Sequence, residues 1–326
     1  MSIRVSVVVP TYRRPDLLRR CLAALVSQNC APASYEIVVI DDGRCPHTAR
    51  SVALFGREQA GGPVIRYVRP DGARRGPAAA RNCGWRAARG DIVAFTDDDT
   101  LPAHDWLREG LRAMRPPEVT AAWGEVVVPL PEVPTDWERN SAGLDGAEFV
   151  TANCFVRRAA LEATGGFDER FTRPWREDSD LYFTLLEAGA TVVRASAAIV
   201  VHPVRPARRG VSVGLHRNLF FDALLYKKHR RLYRAKIAAV PPLRYYAIVA
   251  ALVAAPFALA FGFPDLAAAA ALVWLLCTAL FALSRLEGTS RAWPDVADML
   301  LTSAVIPPVA VYWRLAGALH FRVVFA

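Results

Sequence analysis

The chain is poor in cysteine, with 6 in 326 residues; none stands in a CxxC spacing, and the one CxH, Cys45-Pro46-His47, has no second Cys/His pair to complete a zinc ligand set. That excludes the ligand pattern of a structural zinc site and offers no disulfide framework. Cys21, Cys30, Cys45, Cys83, Cys154 and Cys277 read instead as small core residues of a reducing compartment. No internal repeat is evident, which excludes solenoids and propellers. The opening stretch MSIRVSVVVPTYRR has too short an apolar run for a signal peptide and lacks a small-residue cleavage site. It reads as a strand entering a fold, and the N-terminal part is expected to stay in the cytoplasm. What the last third lacks is charge: residues 245–264 and 266–284 contain no Asp, Glu, Lys or Arg.

What is present is unevenly distributed. Hydrophobic residues make up 53% of the chain, above the usual share for a soluble protein, and the excess lies beyond about residue 240. The two charge-free runs each have roughly the 20 residues needed to cross about 30 Å of hydrocarbon, with Pro264-Asp265 as the turn of a helical hairpin. Two adjacent runs of this length are hard to bury in a small soluble subdomain. A third apolar run, 299–313, carries Pro307-Pro308 and is flanked by Arg314 and Arg322. It is expected to be a re-entrant or interfacial element, over about 299–319. The formal net charge is +9, and much of it precedes the tail, from Arg205 to Arg244. With no nucleic-acid module in the sequence, this cluster reads as the cytoplasmic flank of a membrane segment. Arg285 and Arg291 after the second run put both ends of the hairpin on that side.

Before the tail, apolar β-branched runs alternate with helical patterns. Residues 3–9, 36–40, 64–68 and 91–96 read as strands, and 16–28 and 76–89 as helices, with Leu18, Leu22 and Leu25 on one face. This spacing argues for an α/β fold with a mostly parallel sheet. Further on, 121–128, 149–156 and 191–201 suggest strands, 157–164 and 175–188 suggest helices, and 129–146 reads as a loop.

In such sheets ligands collect beyond the carboxyl ends of the strands, and two acidic clusters fall there. Asp97-Asp98-Asp99 follows DIVAFT; carboxylates at i and i+2 after a buried strand can converge on one hard cation. The competing reading is a solvated turn capping a helix. Asp41-Asp42-Gly43 follows EIVVI and can accept hydrogen bonds from a ribose or a base edge, or simply form a β-turn. A third cluster, Glu177-Asp178-Ser179-Asp180, can supply a general base or merely favourable charge in a helix's first turn. His202-Pro203 ends the last strand; Trp175 and Trp137 can stack on a ligand or pack in a core.

Taken in order, SVVVPTYRRPDLLRRCL, EIVVIDDG, GPAAARNCGWRAARGDIVAFTDDDTLP, TANCFVRRAALEATGGFDERF and WREDSDLYFTLLEAGA resemble the family 2 glycosyltransferases over about residues 3–203. The resemblance implies a GT-A fold, Rossmann-like with flanking helices. It matches Pro10, Thr11, Tyr12, Asp41 and Asp42 to nucleotide-holding positions. Asp97 and Asp99 match the outer aspartates of a metal-binding DxD that contacts the donor diphosphate, and Asp98 between them is expected to bind the donor as well. Asp178, after Glu177, matches the proposed catalytic base. Gly165-Gly166-Phe167-Asp168 matches a motif before the acceptor region, and Arg81 and Asn82 a basic helix approaching the donor pocket. In related enzymes a histidine near His202 approaches the donor or metal. Members invert the anomeric centre in a single displacement, so no second nucleophilic carboxylate is needed.

One departure stands out: the QxxRW motif of processive polysaccharide synthases is absent, so transfer of a single sugar is expected rather than chain extrusion. The expectations are therefore a GT-A domain at 1–205, a basic amphipathic connector at 206–242 and a membrane region at 243–326, with spans at about 245–264 and 266–284. Mg²⁺ or Mn²⁺ is the expected cofactor, and a nucleotide-diphosphate sugar the donor. The expected acceptor is lipid-linked or a cell-envelope glycan at the cytoplasmic face of the inner membrane, with no nucleic-acid partner. The alternatives are a polyprenyl-phosphate sugar synthase, whose acceptor is a phosphate, and a noncatalytic membrane adaptor of the same fold.

Overall fold

The computed structural model describes residues 3–71 and 75–325; the outer bounds expected at residues 1 and 326 lie outside them. The chain divides into two compact units. One comprises 1–129 and 143–203, the other 130–142 and 204–326.

The first unit begins β1 (Val5–Thr11), α1 (Pro15–Val26), β2 (Tyr35–Asp41), α2 (Pro46–Glu58), β3 (Val64–Val68), α3 (Pro77–Ala87), β4 (Ile92–Phe95), β5 (Leu101–Pro102), α4 (Trp106–Ala113) and β6 (Val119–Val127). After α5 (Asp136–Ser141), which belongs to the second unit, come β7 (Cys154–Arg157), α6 (Arg158–Thr164), α7 (Glu177–Glu187) and β8 (Thr191–Val201). Among the described residues eight strands form one sheet in the order β3-β2-β1-β4-β7-β6-β8-β5. β1 to β4 run parallel; β7 is antiparallel to β4 and β6, and β8 is parallel to β6.

The valines of β1, which alternate with nothing polar but the buried Ser6 before Pro10, follow from burial on both sheet faces. Val5, Val7 and Val9 join Leu18, Leu22 and Leu25 of α1, Ile37, Phe55, Trp106 and Phe155 in the main core. On the other face α3 lies so close that a Cβ on Gly84 would come 2.3 Å from Val8. α1 opens with Pro15 at its start, where the missing N–H has no intrahelical partner to lose.

Two stretches differ from the sequence expectation. Residues 149–156 form a strand only from Cys154. Phe149 has φ +51°, and Asn153 N–H donates to the Val150 carbonyl, so the first half is a turn. The expected loop at 129–146 holds α5, started by a capping box in which Thr135 and Glu138 satisfy each other's backbone N–H.

The second unit also contains α8 (Val211–Leu215), α9 (Asp222–Lys228), α10 (Arg230–Lys236), α11 (Leu243–Ala260), α12 (Pro264–Leu286) and α13 (Trp293–His320). The expected basic connector is thus mostly short helices. Among the described residues three helices, α11 to α13, are long and apolar enough to cross a membrane. In the third, where a re-entrant or interfacial element is expected from the sequence, Pro307 and Pro308 lie inside one 28-residue helix. A proline removes its own backbone donor and crowds the preceding turn, but packing neighbours offset the loss, and Pro307 is buried here.

Candidate active site

Because β1, β2 and β4 are parallel, their carboxyl ends open on one edge of the sheet. The tips are fastened together: Asp42 N–H donates to the Thr11 carbonyl and Thr96 N–H to the Val8 carbonyl. The Asp97-Asp98-Asp99 turn is pinned from below. Thr100 donates its hydroxyl to the Asp97 carbonyl at 2.8 Å, and Thr96 bonds to the Ala152 carbonyl at 2.9 Å.

This turn sends its three carboxylates different ways. Asp98 is fully buried; it accepts from the Thr11 hydroxyl at 2.6 Å and pairs with Arg14 at 2.7 Å. Burial pushes its pKa up to about 6, with Arg14 and Thr11 opposing. Asp99 lies 3.3 Å from Arg14 and 3.6 Å from Nε2 of His202. β5, just after the turn, pairs with the end of β8 and so delivers His202 to Asp99. Asp97, Asp99 and His202 each offer one ligand atom, all within 4.8 Å of one another. Two hard carboxylate oxygens and an imidazole suit a divalent cation of the Mn²⁺ type, and the carboxylates alone suit Mg²⁺.

Arg81, on α3 and 3% exposed, reaches across the site. One terminal nitrogen donates to Asp97 at 2.8 Å and the other to Glu177 at 2.9 Å. Burial works to raise the Asp97 pKa, but Arg81 outweighs it, aided by His202 and Arg14, and the carboxyl titrates below its usual range. Glu177 is lifted to about 7 by burial against the pull of Arg81, and its second oxygen is buried without a partner. Asp178 is raised by burial, which the Ser179 backbone N–H, Arg176 and Arg81 oppose. Its Oδ1 accepts from that N–H at 2.6 Å. A half-buried carboxylate with a raised pKa is suited to take a proton. Arg176, before α7, is held at φ +71° with its guanidinium 4.7 Å from the half-buried Trp175 ring. Such backbone strain in a non-glycine residue persists only where surroundings impose it.

The other expected residues take distinct places. Asp41 is fully buried and ties its loop together, accepting from the N–H groups of Gly43 and Cys45 and from the Tyr67 hydroxyl. Asp42 accepts from Gly76 N–H at 2.9 Å, while its Oδ1 is buried without a partner. Tyr12 is 53% exposed beyond β1; Pro10 and Thr11 lie in register with Ile40 and Asp41. Asn82 bonds to the Phe167 backbone and to Trp85. This explains Gly165-Gly166: Gly166 has φ +73°, and a Cβ there would lie 2.5 Å from the Trp85 indole nitrogen. Trp137 belongs to the second unit. The structure therefore gathers Asp97, Asp99, His202, Arg81 and Glu177, with Asp178 next to Glu177, and holds Asp42 separately at the β2 tip. Sequence reasoning missed Arg14; the basic pair after Thr11-Tyr12 was its only signal.

The family model described as Glycosyl transferase family 2 matches residues 6–171, and Glycosyl transferase family group 2 matches 92–314. Glycosyltransferase AglE of Haloferax volcanii is 28% identical over 213 residues, 62% of this chain and 67% of its own length. Pre-mycofactocin glycosyltransferase of Mycobacterium tuberculosis is 30% identical over 221 residues, covering 63% of this chain but 44% of its own. The chain thus matches less than half of that relative. Among solved structures, the mannosyltransferase PcManGT from Pyrobaculum calidifontis, in complex with GDP-Man and Mn²⁺, superposes with a TM-score of 0.61 at 21% identity. It covers 97% of this chain and 88% of its own, and the likeness shows the shared GT-A fold.

Proposed function

The chain belongs to glycosyl transferase family 2, and from that we propose that it is an inverting, metal-dependent enzyme that moves one sugar from a nucleotide-diphosphate sugar to an acceptor hydroxyl. The acceptor in this reading is lipid-linked or a cell-envelope glycan, at the cytoplasmic face of the inner membrane. The observation that carries the proposal is Arg81, which joins the Asp97–Asp99–His202 cluster to the helix start bearing Glu177 and Asp178. Three apolar helices with basic flanks support the membrane part, and the GDP-Man and Mn²⁺ of the structural neighbour support the donor and the cation.

In this mechanism Asp178 takes the proton of the acceptor hydroxyl as its oxygen attacks the anomeric carbon. The bond to the nucleoside diphosphate breaks on the opposite face, so the configuration inverts. A divalent cation held by Asp97, Asp99 and His202 would offset the charge developing on the leaving diphosphate. Arg81 fixes Asp97 and Glu177 relative to each other, which orients the start of α7 and with it Asp178. Asp42 offers its unpartnered Oδ1 to the ribose or base, and Tyr12 a ring face to stack on. Asp98, Thr11 and Asp41 hold the shape of the strand tips.

The test is a donor screen by thermal shift with Mn²⁺ or Mg²⁺ present, since a ligand at 100 times its Kd adds about 2.7 kcal/mol of stability. One class of nucleotide sugar should raise the melting temperature of the wild type and not of Asp99→Asn. No shift with any donor, together with no donor hydrolysis, would overturn the proposal.

A further inference from the structure

We propose that the second unit binds the phosphate or diphosphate head of a membrane lipid in an arginine-lined cavity between Trp137 and residues 205–211. The proposal rests on the glycosyl-transfer reading and names the carrier of its acceptor as a lipid phosphate.

The cavity measures about 510 Å³, and its wall includes Trp137, Arg205, Arg208, Arg209 and Gly210. It is a built feature. The Trp137 indole N–H donates to the Arg205 carbonyl at 2.7 Å, and Ser212, just past the loop, donates to Asp136 at 2.6 Å. Asp136 is held in turn by Arg285 at 2.6 Å, and Arg285 also donates to Thr302 at 2.9 Å and Ser303 at 2.8 Å. Loop, α5, the last turn of α12 and α13 are therefore one polar framework. It places the cavity at the end where α12 leaves its apolar stretch.

Charge and shape then select the ligand. The Asp136 carboxylate is already committed to Arg285 and Ser212, so it does not neutralise the loop. Arg208 and Arg209 are exposed and have no carboxylate partner among the described residues. Clustered guanidinium groups repel one another until an anion enters, and their planar forks match phosphate oxygens in pairs. On the face of α12 turned away from Arg285, Leu272, Leu276, Leu280 and Leu283 are each more than half exposed. Spaced by three or four residues, they line one face of the helix. A phosphate-binding cavity beside apolar helices that turn leucines outward describes a site for an amphiphile with a phosphate head. The lipid is the isoprenoid-type carrier of the acceptor, and bulk anionic phospholipid is the competitor that the test must exclude.

The experiment uses the full chain in phosphatidylcholine nanodiscs, with farnesyl diphosphate as probe and farnesol and inorganic diphosphate as controls. Farnesyl diphosphate should bind at least about 10-fold more tightly than either control, since head and tail both contribute. Arg208→Gln with Arg209→Gln should weaken it roughly 30-fold, about fivefold per lost charge. The double Lys variant, which keeps the charge, should retain most of the binding. Melting without ligand checks that each variant folds, and if the Gln pair does not, single Gln variants are read instead. Unchanged binding in the Gln variants, or farnesol binding as tightly as the diphosphate, overturns the site. Discs containing phosphatidylglycerol that fail to compete support the carrier; effective competition overturns the carrier and assigns the site to bulk lipid. Donor binding is measured on the same preparations. Lipid binding without donor binding would sink the glycosyl-transfer reading and leave the site, and the converse would sink the site alone.

Discussion

Asp99 and Asp178 sit in one constellation but have different jobs, so their variants should fail differently. Asp99→Asn should lower the rate at least about 100-fold and raise the Mn²⁺ concentration needed for half-maximal activity, read from metal titrations. Asp178→Asn should lower kcat by at least about 100-fold, the lower range for one general base, while donor binding by thermal shift persists. Glu177 makes a pH prediction. Its carboxyl titrates near 7 in the fold and near 4.5 when exposed, so the protonated form favours folding. That contribution is complete below about pH 4 and is lost as pH rises through 7. The melting-temperature difference between wild type and Glu177→Gln should therefore change between about pH 4 and 7 and level off above. Asp97, Asp99 and His202 could be found in the sequence because each follows a strand that ends at the same sheet edge. Arg14 and the inward turn of Asp98 could not: their pairing exists only once α1 packs against the DxD turn.

Single elements were legible where periodicity was long. β3 and β8 fall at their expected bounds, and α1 and α3 within two residues; in α1 the buried Leu18, Leu22 and Leu25 mark the face. α5 reads as loop in the sequence because six residues carry too little apolar period. The Thr135…Glu138 spacing was the signal that outweighs the missing period. Thr135→Ala should cost about 1 kcal/mol, checked by thermal melting in detergent, with little effect on donor binding. The run 149–156 misled in the other direction: its apolar composition suits a strand, but the positive φ at Phe149 turns the chain.

For the molecule as a whole, alkaline carbonate washing should leave the chain in the membrane pellet and detergent should release it, as expected of three long apolar helices. The first two were plain in the sequence because they lack charge. The third was obscured by Pro307-Pro308, since a local rule against proline says nothing of the packing that tolerates it. Back in the first unit, Arg81 has a kinetic consequence. A guanidinium shared by Asp97 and Glu177 cannot feel one carboxylate shift without passing the disturbance to the other. Loading the nucleotide sugar would then reset the opposite wall before an acceptor arrives. Turnover should follow a compulsory sequence: donor in first, nucleoside diphosphate out last, with that product competing against the donor alone.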